Sequence, residues 1–424
     1  MKVVHINTYD QGGAAIAAIR LHKGLLAEGV DSHFYTLHKT RNDIPNHHKH
    51  NSTLNTLPDT SLTFSNYLKA KLSTSYKVYF KENEYRKKLY REAKKHNLEM
   101  ISFPNTPYLV HKDEILQEAD IVHLHWVSDF IDYPSFFRKI KQPIFWTFHD
   151  ENPYKGIFHY SADEKTAHAV SECLKEIDKK AQEIKKEAIR QNCINMTIVS
   201  PSKWLGEAAV ESSFYERAHI NQIPYGIDTS TFRQIPQKEA RSVLGLPQTK
   251  KIFLFVGQSV DNYRKGFDLL LDAIEGLDLT DIMLCAAGSA SADSKNNKIN
   301  YLGSFNDERL LALAYNAADL FILPSREDNL PNTMLESLCC GTPVICFPTG
   351  GMEEEIESGE NGIVAKSVNG ISLKECILVF LANQNIYNRE AIAAQSSHKF
   401  VLKKQAEKYH KLYDKSVESG KLLV

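Results

Sequence analysis

The chain has 424 residues, 42% of them hydrophobic and 24% charged, with 51 basic against 52 acidic side chains. That length exceeds one ordinary core, so two domains are the starting expectation. A net charge of −1 argues against a general nucleic-acid binder, and no apolar run approaches the ~20 residues needed to span a bilayer.

The seven cysteines are scattered and form no Cys-x-x-Cys pair, which speaks against a zinc site or a disulfide framework. With no signal-peptide core at the start, the expected compartment is the reducing cytoplasm. Residues 3–7 read as a first strand, Asp10-Gln11-Gly12-Gly13 as a turn, and residues 14–27 as a helix. Strand, glycine turn and helix make the first unit of a parallel sheet. Residues 32–37 read as the second strand.

The rhythm then breaks over residues 41–115, which read as a helical insertion. Residues 46–51 are polar and expected to be a loop. Residues 69–96 carry ten Lys and Arg against Glu82, Glu84 and Glu92, interleaved with Tyr76, Tyr79, Phe80, Tyr85 and Tyr90. Two readings stand for that stretch. One is peripheral membrane association at the inner face, or acceptor docking. The other is a solvated helical excursion whose aromatics pack on the domain.

Strands return at 120–126, 143–148, 195–199 and 220–224, with a long charged helix over 167–192. Residues 225–249 read as a connection. The second half repeats the plan, with strands at 251–256, 281–286, 299–302, 320–323 and 344–347 and helices between them. The expectation is an α/β chain with two doubly wound, Rossmann-like domains facing a cleft. The first spans 1–228 and the second 229–399.

The chemistry concentrates in Pro324-Ser325-Arg326-Glu327-Asp328-Asn329-Leu330-Pro331-Asn332-Thr333-Met334-Leu335-Glu336. One acid, Asp328, falls in the loop after a strand, and the other, Glu336, lies in the helix that follows. The helix N-terminus between them offers N–H groups and a positive dipole end to a phosphate. A carboxylate further along can accept hydrogen bonds from a ribose. The residues therefore suggest a nucleoside-diphosphate site. Arg264 and Lys265 stand at another helix start, where two cations are unfavourable unless an anion neutralises them. Gly12-Gly13 lets the backbone approach a phosphate closely, or is simply a tight turn. His149 ends a strand, where side chains face the ligand crevice. Of His123 and His125, which alternate with apolar residues, one is expected to be structural rather than functional.

Pro-Ser, an acid, seven residues, then Glu, followed by Gly341-Thr342-Pro343-Val344, resembles the signature of retaining GT-B glycosyltransferases of the group 1, glycogen-synthase-like type. Residues 120–126 and Thr147-x-His149-Asp150, with Pro153-Tyr154-x-Gly156, resemble a subgroup acting in exopolysaccharide synthesis. Two departures show: Asp328 stands where the family usually has Glu, and Gln258 where it has Arg. The resemblance implies a metal-independent transferase with no cofactor. Its partners are a nucleotide-sugar donor and a saccharide or lipid-linked saccharide acceptor. It assigns His149, Lys265 and Asp328 to catalysis, and Arg264 is expected to supply the charge missing at Gln258. Gly12, Gly13, Asn329, Leu330, Asn332, Thr333 and Glu336 go to the donor, with the acceptor residues unassigned. It also implies that residues 400–424 cross back to the first domain. The chain has no Asp-x-Asp, the motif with which other nucleotide-sugar enzymes hold a metal. Two rivals remain: a sugar-nucleotide epimerase or hydrolase, and a silent nucleotide-binding partner protein. The missing Gly-x-Gly-x-x-Gly disfavours a hydride-transfer enzyme.

Overall fold

The structure is a computed structural model that describes residues 1–51, 74–96, 98, 100–192, 195–215, 219–291 and 296–421. Lys69, Lys71 and Cys193 lie outside the described residues. The chain is an α/β protein built as two compact units. The first comprises Met1–Pro201, Leu205–Ile223 and Glu407–Val424, and the second Ser202–Trp204 and Pro224–Ala406.

The first unit holds a seven-stranded sheet. Its strands are β1 (Lys2–Tyr9), β2 (Asp31–His38), β3 (His47–Lys49), β4 (Ile121–Leu124), β5 (Ile144–Thr147), β6 (Met196–Ser200) and β7 (His219–Gln222). The order is β3-β2-β1-β4-β5-β6-β7, with every pairing parallel. Strands β4 and β5 are buried at every position, as parallel strands covered on both faces must be. Strand β3 corrects the expected loop at 46–51: His47–Lys49 pairs with Phe34–Thr36, and the His47 ring bonds Thr36 Oγ1 at 2.9 Å. Polar composition hid a strand too short to show a period. The expected helix at 167–192 is two helices, Ser161–Val170 and Glu172–Arg190, because the Ser171 side chain caps the second by accepting from Leu174 N.

Register places the polar residues of this sheet. His5 pairs with His123, and His123 with Phe145. With side chains alternating along a strand, His5, His123, His125, Thr147 and His149 share one face. Residues 407–421 of the helix Leu402–Lys421 belong to this unit. The buried Tyr413 and Tyr409 hydroxyls bond His123 Nδ1 at 2.6 Å and Thr147 Oγ1 at 2.7 Å, and Tyr413 meets Phe145 edge-on. In the insertion, helix Thr74–Lys95 aligns Tyr85, Leu89 and Ala93 at four-residue spacing. Tyr85 and Leu89 pack with Phe103, Ile157, Phe158 and Leu174, Ala93 is buried, and the Tyr90 hydroxyl donates to Asp129. Lys87, Lys88, Arg91, Lys94 and Lys95 are exposed on the other side.

The second unit holds six parallel strands: β8 (Lys251–Ser259), β9 (Ile282–Ser289), β10 (Ile299–Gly303), β11 (Leu320–Leu323), β12 (Val344–Cys346) and β13 (Gly362–Val364). Their order is β10-β9-β8-β11-β12-β13. In both sheets the first strand of the unit lies third from one edge, and the connections run outward from it in both directions. That reversal opens a crevice at the carboxyl ends of the two central strands. In the first sheet these are β1 and β4, and in the second β8 and β11. The expected C-terminal helix over 388–419 is two helices, Arg389–Phe400 and Leu402–Lys421. Ile227 bonds across the break, donating to Phe400 O and accepting from Leu402 N.

Candidate active site

In the second unit, the residues after β8 and β11 interlock at the crevice. The turn Tyr263–Lys265 follows β8 and ends at Gly266, whose φ of 69° only glycine adopts easily. A Cβ there would also lie 1.9 Å from Pro324 O. Glycine thus presses this turn onto the loop after β11. Arg326 N donates to Arg264 O at 2.8 Å, and Arg264 Nη1 donates to Glu327 O at 2.8 Å.

This clamp brings Lys265 and Arg264 to one carboxylate. Lys265 Nζ donates to Asp328 Oδ2, and Arg264 Nη1 stands 3.4 Å from the same oxygen. Burial alone would push the Asp328 carboxyl up, but the two cations outweigh it and hold it below its ordinary value. The anion that the sequence demanded for Arg264 and Lys265 is therefore present within the chain. Behind Asp328, Gly350 has φ 60° and no room for a Cβ against Asp328 O, and Gly351 N donates to Asn329 O at 2.8 Å. Gly350-Gly351 thus backs the loop of Asp328 and Asn329.

Helix Asn332–Cys339 begins at once, with Pro331 as its cap residue and no side chain capping it. Its first N–H groups are those of Asn332 and Thr333. Leu330 is buried beside them. Glu336 lies one turn in, 3% exposed, and accepts from the Tyr315 hydroxyl at 3.2 Å. Gln258, near the end of β8, is exposed, and its carbonyl oxygen accepts from Ser289 Oγ at 2.8 Å.

In the first unit, Gly12 follows β1 with φ 91° and begins helix Gly13–Ala27, which has neither a side-chain cap nor an acid in its first turn. His149 lies just past β5. Its Nε2 meets His125 Nδ1 at 3.1 Å. Burial pushes the His149 imidazole down to about 4, against an upward pull from Asp150. Asp150 itself is taken up by the His159 ring at 2.6 Å and the Trp126 indole at 2.8 Å.

Among the described residues, two groups have the side chains to hold a metal: His5, His123 and His125, and Glu164, His168 and Asp178. In the first, His123 and His125 are stacked, with centroids 4.2 Å apart at 29°, and His5 Nδ1 meets His125 Nε2 at 2.9 Å. Ring lone pairs lie in the ring planes, so stacked rings do not aim them at one point. His123 also spends both nitrogens on Tyr413 and Thr147. In the second group Glu164 is paired with Lys155, and Asp178 accepts from Ile157 N at 2.8 Å.

Reasoning from sequence missed Lys185. It is 1% exposed, donates to Asn152 O, Asn152 Oδ1 and Lys155 O, and burial brings its ammonium down to about 7. Nothing in a charged helical segment marks one lysine of many as the buried one. His5 was read only as part of an apolar strand.

Residues 236–398 match the family model of the glycosyl transferases group 1. A curated relative, the D-inositol 3-phosphate glycosyltransferase of Mycolicibacterium smegmatis, is 28% identical over 160 residues, which cover 35% of this chain and 36% of the relative. The chain spans between about a third and a half of the length of the first curated relatives it matches. Among solved structures, sucrose-phosphate synthase from Thermosynechococcus elongatus superposes with a TM-score of 0.67 at 17% identity, over 99% of this chain and 100% of that one. HepE from Anabaena, in complex with UDP-glucose, gives 0.66 at 14% identity, over 98% and 100%.

Proposed function

Residues 236–398 are a group 1 glycosyl transferase domain within a chain of GT-B fold, and from that premise we propose that the protein is a retaining glycosyltransferase. It moves a hexose-type sugar from a nucleoside-diphosphate sugar to a saccharide or lipid-linked saccharide acceptor in surface polysaccharide synthesis. The observation that carries this reading is the junction of Lys265, Arg264 and Asp328 at the β8–β11 crevice, directly before an uncapped helix N-terminus. Two fixed cations and a set of helix N–H groups suit a diphosphate.

In the proposed reaction the bond between the anomeric carbon and the diphosphate oxygen breaks, and the electron pair leaves with the diphosphate. Lys265, Arg264 and the N–H groups of Asn332 and Thr333 stabilise that charge. The acceptor hydroxyl attacks from the face the diphosphate leaves, and its proton passes to a diphosphate oxygen. Asp328 holds hydroxyls of the donor sugar and Glu336 holds the ribose. Gly12 and Gly13 serve the donor phosphate, and His149 a sugar hydroxyl. The chain's own cations do the work that a metal does elsewhere, so no metal is required. The basic face of helix Thr74–Lys95 is proposed to hold the protein at an anionic membrane surface.

Thermal stabilisation by UDP, GDP, ADP, TDP and CDP, each with EDTA, tests the site. One diphosphate giving a clear, EDTA-insensitive shift supports the reading and identifies the base. No shift with any of them rejects it. Consumption of the matching sugar nucleotide without an acceptor moves the assignment to an epimerase or hydrolase. Binding without turnover moves it to a silent partner.

A further inference from the structure

The helix Glu172–Arg190 presents two buried charges of opposite sign to one loop of the first unit. Lys185 is 1% exposed and Asp178 2%. Seven positions apart, they lie on one face of the helix, two turns from each other. Lys185 Nζ donates to Asn152 O at 2.7 Å, Asn152 Oδ1 at 3.0 Å and Lys155 O at 3.1 Å, and it stands 5.4 Å from the centre of the Tyr133 ring. Asp178 Oδ1 accepts from Ile157 N at 2.8 Å, and Gln182 Nε2 donates to Asp178 Oδ2 at 2.9 Å. The loop thus gives oxygens to the cation and an N–H to the carboxylate. Between the two grips stands Gly156, where a Cβ would lie 2.2 Å from Asp178 Oδ1. Only a residue without a Cβ lets the loop come this close to the helix.

All three partners of Lys185 are acceptors. Asn152 Nδ2 donates to Phe158 O at 3.0 Å, which orients the amide and turns its Oδ1 toward the lysine. An ammonium has three N–H groups and no lone pair, so it satisfies all three oxygens. An uncharged amine would turn its lone pair on one of them. The arrangement is therefore shaped for the charged form, and that charge is held at a cost. Burial brings the ammonium down to about 7, against the pull of Asp178, Asp150 and Asp129, and burial pushes the Asp178 carboxyl up. Apolar side chains would fill the same space without that cost. What the pair accomplishes lies at the start of the loop. Asn152 N donates to Asp150 Oδ1 at 3.0 Å, and Asp150 Oδ2 takes the Trp126 indole at 2.8 Å and the His159 ring at 2.6 Å. Asp150 follows His149 directly.

We infer that Lys185 and Asp178 are positioning residues. Together they clamp residues 152–157, and through Asn152 they hold Asp150 and the stretch just past β5 that carries His149. The effect of the clamp on sugar transfer rests on the transferase reading, whereas its hold on the loop does not.

The test is Lys185→Met in the full chain, which keeps the apolar stem and removes the three donors. Hydrogen exchange across residues 151–158 should quicken at least about tenfold, and the NMR signal of the Trp126 indole, which reports on Asp150, should move. The kcat of transfer should fall at least about tenfold while pyrophosphate affinity stays within about twofold. A folded Lys185→Met whose loop exchange and indole signal match wild type overturns the inference, as does normal turnover once the loop has loosened. A parallel loss of pyrophosphate binding also overturns it, because general loosening then explains the defect. If the variant does not fold, nitrogen NMR of the lysine-labelled wild type at pH 6 decides. Slowly exchanging ammonium protons, coupled to the carbonyl carbons of Asn152 and Lys155, are expected there. An amine, or an ammonium exchanging as fast as those of exposed lysines, overturns the inference. If wild type neither binds a diphosphate nor transfers a sugar, the transferase reading fails, and loop exchange and the indole signal still decide the clamp.

Discussion

Replacing Asp328 by Asn should tighten diphosphate binding while abolishing transfer. The Asp328 carboxylate sits on both Lys265 and Arg264, so a diphosphate bound at those cations must share them with it. A phosphate oxygen bound to them would lie about 6 Å from the carboxylate. At an effective dielectric of about 20, two unit charges at that distance repel by about 3 kcal/mol. Asparagine keeps the shape and removes the charge. With part of the repulsion screened by water, affinity for pyrophosphate and for UDP should rise about tenfold to hundredfold. The free variant faces the opposite effect, because two adjacent cations have lost their counter-ion. It should lose about 2–3 kcal/mol and melt several degrees lower. Calorimetric titration gives the affinities, and melting curves with and without pyrophosphate give the stability. The two proteins should differ most when empty and least when saturated. Asp328→Asn that melts as wild type does and binds pyrophosphate no more tightly would refute the reasoning, since the carboxylate would then not compete for these cations.

Other outcomes follow from the same geometry. Lys265→Met and Arg264→Ala should each weaken pyrophosphate binding and lower transfer by at least about 100-fold, the loss of one charge-assisted contact in a dry site; normal turnover in Arg264→Ala would remove it from the site. Acid should unfold the first unit early. His22 and His149 are held at about 4 by burial, against 6.5 when unfolded. The unfolded chain therefore takes up protons that the folded one refuses as pH falls from 6.5 toward 4. Stability is intact above 6.5, and by pH 5 each ring costs about 2 kcal/mol; a urea midpoint that is flat from pH 7 to 5 would contradict this. Neutralising Lys87, Lys88 and Arg91 should abolish flotation with anionic liposomes, and wild type that never floats rejects the membrane proposal. Tyr413→Phe should cost about 1–3 kcal/mol, because His123 loses its buried partner.

Much of this was legible in the sequence because it depends on local period and punctuation. Strands β8 and β11 are continuous apolar runs closed by glycine or proline, and the acid pair brackets a helix start that Pro331 marks. The contact of Lys265 with Asp328 was not legible. It spans 63 positions and depends on Gly266 resting against Pro324 O, which no local pattern records. The same holds for the histidine chain. Alternation showed that His123 and His125 share a face. Only the parallel register of β1 with β4 brings His5 beside them. Strand β3 was missed because three polar residues carry no period, and its place is set by the neighbour it pairs with. Lys185 was missed because burial of one lysine among many is decided by tertiary packing.

The first unit is discontinuous along the chain, since it begins at Met1 and needs Glu407–Val424. During synthesis its sheet is complete some two hundred residues before its last helix exists. Until then His123 Nδ1, Thr147 Oγ1 and the edge of Phe145 lack the tyrosines that later cover them. The second unit, whose main segment runs from Pro224 to Ala406, must be made in that interval. The first-made unit is therefore closed only after the second has been made. A fragment cut at residue 223 would keep that face permanently uncovered.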